Sequence, residues 1–249
     1  MHMKKRFIKG LLKKALILGM ITLSCLSWTP VRVKGAVYAD YNNVKIESLN
    51  MELNKVGDLY VTNDMRARLS SKTVIVDYAH RANINGIIDH GADALYYGNK
   101  IYEDAISNRV SNKVKKILQQ NGVNVFETRN ISGFCSLNDR INLSNNIPHD
   151  LYFSIHLNCN EGVPASGIES YSNSKTSLSN RLVNTLSSKY GFKNRGSQAD
   201  KYYTRKIKNS LLLELGFINN EHDMDKLLAN EDKIAQDIAN VIIKDLLNN

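Results

Sequence analysis

An α/β fold is predicted, with one domain built on a mixed, mostly parallel sheet and helices on both faces. Three observations predict it. Strand-like and helix-like stretches alternate from residue 73 onward; 43% of the 249 residues are hydrophobic, enough for a packed core; and the two cysteines beyond the N-terminal segment, Cys135 and Cys159, are too few for a disulfide scaffold. In such sheets functional groups gather at the carboxyl ends of the strands.

The elements follow in order. "TVIVDYA" (73–79) is β-branched and reads as a strand. "NKIYEDAISNRVSNKVKKILQQ" (99–120) places Ile106, Val110, Val114 and Ile117 on one helical face, and Asn121-Gly122 stops it. "VNVFETR" (123–129) is a second strand and "SLNDRINLSNN" (136–146) a short helix. In "DLYFSIHLNCN" (150–160), Leu151, Phe153 and Ile155 alternate with Tyr152 and Ser154 as in a half-buried strand, and the run ends on His156. A strand "GIESYS", a helix "SLSNRLVNTLSSKY", a strand "SLLLELGF" and helical segments from about Glu221 to Leu247 complete the chain.

Ahead of these, residues 1–39 read as an export signal: a basic start "MHMKKRFIKGLLKK", an apolar run "ALILGMITLSCLSW" and "TPVRVKGAVYA" with small residues for a peptidase. The run is short for a stable membrane span, which favours cleavage over a retained anchor. A lipoprotein reading at Cys25 is weaker, because Thr22 stands where a branched apolar residue is preferred. All but one unit of the formal charge of +9 sits in this segment, which holds eight Lys/Arg and no acid. The remainder is close to neutral, so composition gives no argument for nucleic acid. Membrane contact is expected only through an uncleaved N-terminal segment. Residues 40–72 read as a linker or peripheral hairpin, and 73–249 as the catalytic domain.

Candidate chemical groups stand at three strand ends. His80 follows the first strand, His156 ends the third, Glu214 lies in "LLLELGF", and Glu103 opens the long helix near the same sheet edge. Two histidines and a carboxylate suit Zn²⁺ with a fourth position for water, and Glu214, beside apolar walls, suits a base that does not bind the metal. Plainer readings stay open: a strand-end histidine as a hydrogen-bonded rim residue, Glu103 as an acid favourable to a helix N-terminus, Glu214 as the partner of a lysine.

"VIVDYAH", "YEDAISNRVSNKVKKILQQNGVNVFETR", "SLNDRINLSNN", "DLYFSIHLN", "GIESYSN" and "LLLELGFINN" resemble, in order, the motifs of the zinc-dependent N-acetylmuramoyl-L-alanine amidases, bacterial and phage cell-wall hydrolases. The resemblance covers about residues 73–249. It implies Zn²⁺ held by His80, Glu103 and His156, Glu214 as catalytic acid/base, peptidoglycan as substrate, and cleavage between the lactyl group of muramic acid and the L-alanine of the stem peptide. It implies an exported or wall-associated protein, with any protein partner unspecified.

The chain departs from the family pattern at two places. Ala79-His80-Arg81-Ala82 stands for Gly-His-Gly-Gly, and Asp89-His90-Gly91-Ala92 for Asp-Pro-Gly-Ala, which makes His90 a rival ligand that its loop argues against. The wide gap from His80 to Glu103 suggests an extended rim loop. Asn158 is expected to orient a contact behind the site or to form a turn; Asn194-Arg195-Gly196 to line the groove or turn; His149 and His222 to be surface residues. Cys159 is expected as a small buried thiol or paired with Cys135. The alternative functions are a zinc carboxypeptidase or endopeptidase on wall peptides, and an inactive wall-binding protein.

Overall fold

Strand-forming runs alternate with helices along the computed structural model, which describes residues 29–33, 36–40, 54–56, 59–130, 132–162, 165–200 and 202–249. Most of the stretch read as an export signal lies outside the described residues. The chain divides into two units, Met1–Glu52 and Leu53–Asn249. In the first, β1 (Thr29–Val33) and β2 (Ala36–Asp40) pair antiparallel.

The second unit begins with a hairpin, β3 (Asn54–Val56) and β4 (Leu59–Val61), and a helix α1 (Asn63–Leu69) whose first turn is capped by Thr62, the hydroxyl accepting from the Met65 amide at 3.2 Å. Val61 and Leu69 enter the core, so this unit starts upstream of residue 73. Next comes β5 (Thr73–Tyr78). The long rim segment is then two hairpins, β6 (Asn83–Ile84) with β7 (Ile87–Ile88) and β8 (Asp93–Tyr96) with β9 (Asn99–Tyr102). Both turn on a pair of left-handed residues ending in glycine, Asn85-Gly86 (φ 55° and 87°) and Tyr97-Gly98 (φ 46° and 78°). Residues 99–102 are therefore strand, where the sequence reading expects helix, and α2 (Glu103–Gln120) starts at Glu103.

The remaining elements are β10 (Asn124–Glu127), α3 (Leu137–Asn146), β11 (Leu151–Asn158), β12 (Ile168–Tyr171), α4 (Thr176–Tyr190), β13 (Asn194–Gln198), a short 3₁₀ turn at Tyr203–Lys206, β14 (Ser210–Phe217) and α5 (Glu221–Asn248). A capping box of Ser136 and Asp139 starts α3. The sheet order is β10-β5-β11-β14-β12-β13. The first four strands run parallel; β12 is antiparallel to β14, and β13 parallel to β12. All eight residues of β14 are buried, as its largely apolar run requires of a central strand.

Alternation along β11 divides the two faces. Leu151, Phe153, Ile155 and Leu157 enter the main core with Val110 and Val114 of α2, Leu182 and Leu186 of α4, and Ile238 and Ile242 of α5. Tyr152 turns the other way, to Ile75 and Ile207, with Ile141 of α3 packed against them. Helices thus cover both faces, as predicted. Among the described residues no helix is long and apolar enough to cross a membrane.

Beside the smaller core lies a buried ion pair, Asp77 with Arg140. Asp77 also accepts from Ser154 Oγ at 2.8 Å and Tyr203 Oη at 2.7 Å, while Arg140 donates to the carbonyls of Tyr78, His80 and Cys135. Burial alone would raise the Asp77 pKa, but the Arg140 guanidinium and the Thr128 and Tyr203 hydroxyls outweigh it and hold the carboxyl below the usual range. Arg140→Met strands that carboxylate and should lower unfolding stability in urea by about 3–5 kcal/mol. Adding Asp77→Asn should recover part of the loss.

Candidate functional site

In a parallel sheet, residues in register on neighbouring strands point to the same face. His156 of β11 is in register with Glu214 of β14, and Glu214 with Glu169 of β12. The three side chains form one polar row on the face away from α2, α4 and α5. Ser154 and Asp77 form the row before it. Just past His156 the β11–β14 register slips, so that Asn158 meets Phe217, and this bulge ends the regular ladder beside the row.

His80 and Glu103 reach His156 from two other segments. Glu103 Oε1 lies 2.9 Å from His80 Nε2 and 3.0 Å from His156 Nδ1, and also accepts the Leu157 amide at 3.0 Å. Its Oε2 accepts the Ala92 amide at 2.9 Å. The carboxylate is thereby held by backbone on both oxygens. One ligand atom from each of His80, Glu103 and His156 lies within 4.8 Å of the others, a group that could hold a metal ion. His80 Nε2 and His156 Nε2 are buried without a hydrogen-bond partner, since the 2.9 Å approach of Glu103 to His80 is not aligned as a bond. Buried ring nitrogens converging with a carboxylate fit a divalent cation better than they fit a protein-only network.

Charge at the trio is mutual. Burial alone would lower the His80 pKa, but the carboxylates of Asp89 and Glu103 push it up to about 10. Burial would raise the Glu103 carboxyl, and the two imidazoles instead hold it well below the carboxylate range. Asp89 fixes His80 from behind, its Oδ2 lying 3.0 Å from Nδ1, while its Oδ1 accepts the Gly91 amide at 2.8 Å. A carboxylate behind a histidine sets which ring nitrogen is free for a metal.

The backbone here is unusual. His80 and Arg81 both have left-handed φ, 59° and 62°, which costs a side-chain-bearing residue about 1–2 kcal/mol. Arg81 occupies a position where the family pattern has glycine. The Arg81 amide donates to the Asp89 carbonyl at 2.7 Å, the Cys135 amide to the Arg81 carbonyl at 3.2 Å, and Arg140 to the His80 carbonyl. Close by, a Cβ on Gly91 (φ +71°) would fall 2.5 Å from Glu103 Oε2 and 2.7 Å from the His80 ring.

Glu214 is 6% exposed, one strand from His156. His90 stands apart from the trio, its Nδ1 3.2 Å from Asp104 Oδ2. His149 is not simply solvated: its ring nitrogens lie 2.6 Å from the Ile147 carbonyl and 2.8 Å from that of Lys208, which tie the loop. His222 is exposed. Cys135 and Cys159 are free thiols, the first buried and the second packed against the main core. Asn158 donates to Glu169 Oε1 at 2.7 Å, and Asn194-Arg195-Gly196 forms strand β13 rather than a turn.

Three residues escaped the sequence reading as parts of the site. Asp89 and Arg140 position His80. Glu169, 2% exposed, receives Asn158, the Tyr171 hydroxyl at 2.9 Å and Arg195 Nε at 2.9 Å. Arg195 also lies over the Phe217 ring, 5.0 Å from its centroid. The signal for Glu169 was a charge inside "GIESYS", a strand otherwise suited to burial.

Comparison with known proteins gives a consistent picture. The family model described as N-acetylmuramoyl-L-alanine amidase matches residues 74–244. The chain is 32% identical over 185 residues to the uncharacterized protein YqiI of Bacillus subtilis, covering 70% of this chain and 84% of the relative. It is 28% identical over 189 residues to the N-acetylmuramoyl-L-alanine amidase LytC of Bacillus subtilis, covering 72% of this chain but 36% of LytC. Among solved structures, the amidase AmiC2 of Nostoc punctiforme superposes with a TM-score of 0.63 at 27% identity, over 70% of this chain and 97% of that one.

Proposed function

Because the chain belongs to the N-acetylmuramoyl-L-alanine amidase family, a family of cell-wall hydrolases, we propose that it is a zinc-dependent amidase of peptidoglycan. The bond cut is the amide between the lactyl group of N-acetylmuramic acid and the L-alanine of the stem peptide. The observation that carries this reading is the meeting of His80, Glu103 and His156 at the carboxyl edge of parallel strands, with Glu214 in register one strand away.

His80, Glu103 and His156 would hold Zn²⁺, which when bound polarises a carbonyl and acidifies water. Glu214 takes the proton of the attacking water and delivers it to the nitrogen of the departing amine. Its low exposure keeps bulk water from competing for that proton. Asp89 and the left-handed turn at His80 orient the first imidazole, and the Leu157 and Ala92 amides orient Glu103. Export by the N-terminal segment belongs to the same reading, since the substrate lies outside the cytoplasmic membrane.

Digestion of purified peptidoglycan with the protein tests the reading. Mass spectrometry should find new termini at the muramic lactyl carboxyl and the L-alanine amine. New termini within the stem peptide would instead identify a peptidase.

A further inference from the structure

The polar row of His156, Glu214 and Glu169 continues onto the edge strand β13. Opposite Glu169 the β12–β13 ladder carries a bulge: Ile168 pairs with Asn194 and Ser170 with Ser197, so one residue of β12 faces two of β13, Arg195 and Gly196. Gly196 supplies the left-handed φ, 87°. A bulge re-aims a side chain, and this one brings Arg195 onto Glu169, with Nε donating to Oε2 at 2.9 Å.

Glu169 does not depend on that bond alone. Asn158, the Tyr171 hydroxyl and Gln198 Nε2, the last at 3.3 Å, also donate to it. Arg195 in turn is committed only through Nε. A carboxylate commonly takes an arginine by two nitrogens at once, yet among the described residues Nη1 and Nη2 of Arg195 make no hydrogen bond, and the side chain is 31% exposed. The guanidinium lies over the buried Phe217 ring, 5.0 Å from its centroid. Held at Nε and against one ring, it is oriented in advance, so its terminal N–H groups can take a partner at little cost in side-chain freedom.

On the amidase reading, Glu214 delivers its proton to the departing amine, which is the first nitrogen of the stem peptide. The peptide then runs from the metal past Glu214 toward β12 and β13, which follow β14 in the sheet. Two strand spacings span about 10 Å, the length of about three extended residues. We infer that Arg195 binds a carboxylate on the second or third residue of the stem peptide, and that this sheet edge is the subsite that reads the peptide's charge. The inference rests on the amidase reading. Two groups supply the chemistry: the α-carboxylate of a γ-linked D-glutamate, and the carboxylate of the diamino acid after it.

Calorimetric titration of the full zinc-loaded chain separates these sources. The probes are three forms of L-alanyl-γ-D-glutamyl-L-lysine, which lack the scissile bond: one with both carboxylates amidated, one with only the glutamate carboxylate free, and one with only the lysine carboxylate free. Wild type should bind one of the singly charged forms about tenfold more tightly than the diamide, and the form that gains identifies the carboxylate. Arg195→Gln should erase that preference and leave affinity for the diamide unchanged. Equal affinities for all three forms in wild type, or no binding of any, would overturn the inference without recourse to a variant. A preference that survives Arg195→Gln, or an equal loss for all three forms in that variant, would overturn it as well, the latter marking Arg195 as structural. Stem-peptide release from peptidoglycan by wild type is measured alongside. Active protein without the charge preference defeats the inference alone, whereas an Arg195-dependent preference without hydrolysis defeats the amidase reading.

Discussion

Glu214→Gln should leave zinc content at the wild-type level and slow release of stem peptide by about a hundredfold or more, the range typical of a lost general acid/base. The substitution keeps size and shape and removes only the titratable oxygen. Glu214 is buried in β14, where all eight residues are packed, so a smaller side chain would confuse lost chemistry with a cavity. Glu214 also sits in register with both His156 and Glu169, and an amide there preserves the row. The decisive comparison is turnover against metal content on one preparation. Near-wild-type turnover would reduce Glu214 to a structural residue and leave the proton transfer without an agent.

Removing a ligand should fail in the opposite way. His156→Ala or His80→Ala should abolish tight zinc binding, measured by competition with a chromogenic chelator, and Glu103→Gln should loosen it. His90→Ala should leave binding nearly intact, since that ring is engaged with Asp104. Full zinc occupancy in His156→Ala would refute the ligand set. The same titration carries a pH signature. With its pKa pushed up to about 10, His80 in the metal-free protein holds a proton at neutral pH that a metal must displace. Acid therefore favours the metal-free form, and apparent zinc affinity should rise about tenfold per pH unit between roughly pH 6 and 8. A pH-independent affinity would show that no proton leaves.

Much of this architecture is written in local pattern. The alternation in "LYFSI" reports which side of β11 is buried, and the same alternation puts His156 on the polar face. Asn121-Gly122 ends α2 where it should. Yet Asn85-Gly86, a strong hairpin signal, joins strands only two residues long, too short for any periodicity to mark them. The start of α2 is ambiguous in sequence for a related reason: "NKIY" is as compatible with a helix as with a strand, and its pairing partner Asp93–Tyr96 decides the matter. Partners distant in sequence were invisible. Arg140 sits in a quoted motif, but nothing in its neighbourhood says that it reaches Asp77 and the His80 carbonyl, 63 and 60 positions away. Glu169 gains its meaning only when β12 is laid antiparallel beside β14.

Gly91 shows where this chain is open to inherited change and where it is closed. Any codon change that alters the residue adds at least a Cβ, and that atom lands within 2.7 Å of both Glu103 and His80, at a φ of +71° that side-chain-bearing residues rarely adopt. Position 90, one residue earlier, directs its side chain toward Asp104 and accommodates histidine where the family pattern has proline. A lineage can therefore drift at 90 and not at 91. Loss-of-function alleles are accordingly expected at a glycine that contributes no ligand, no proton and no charge.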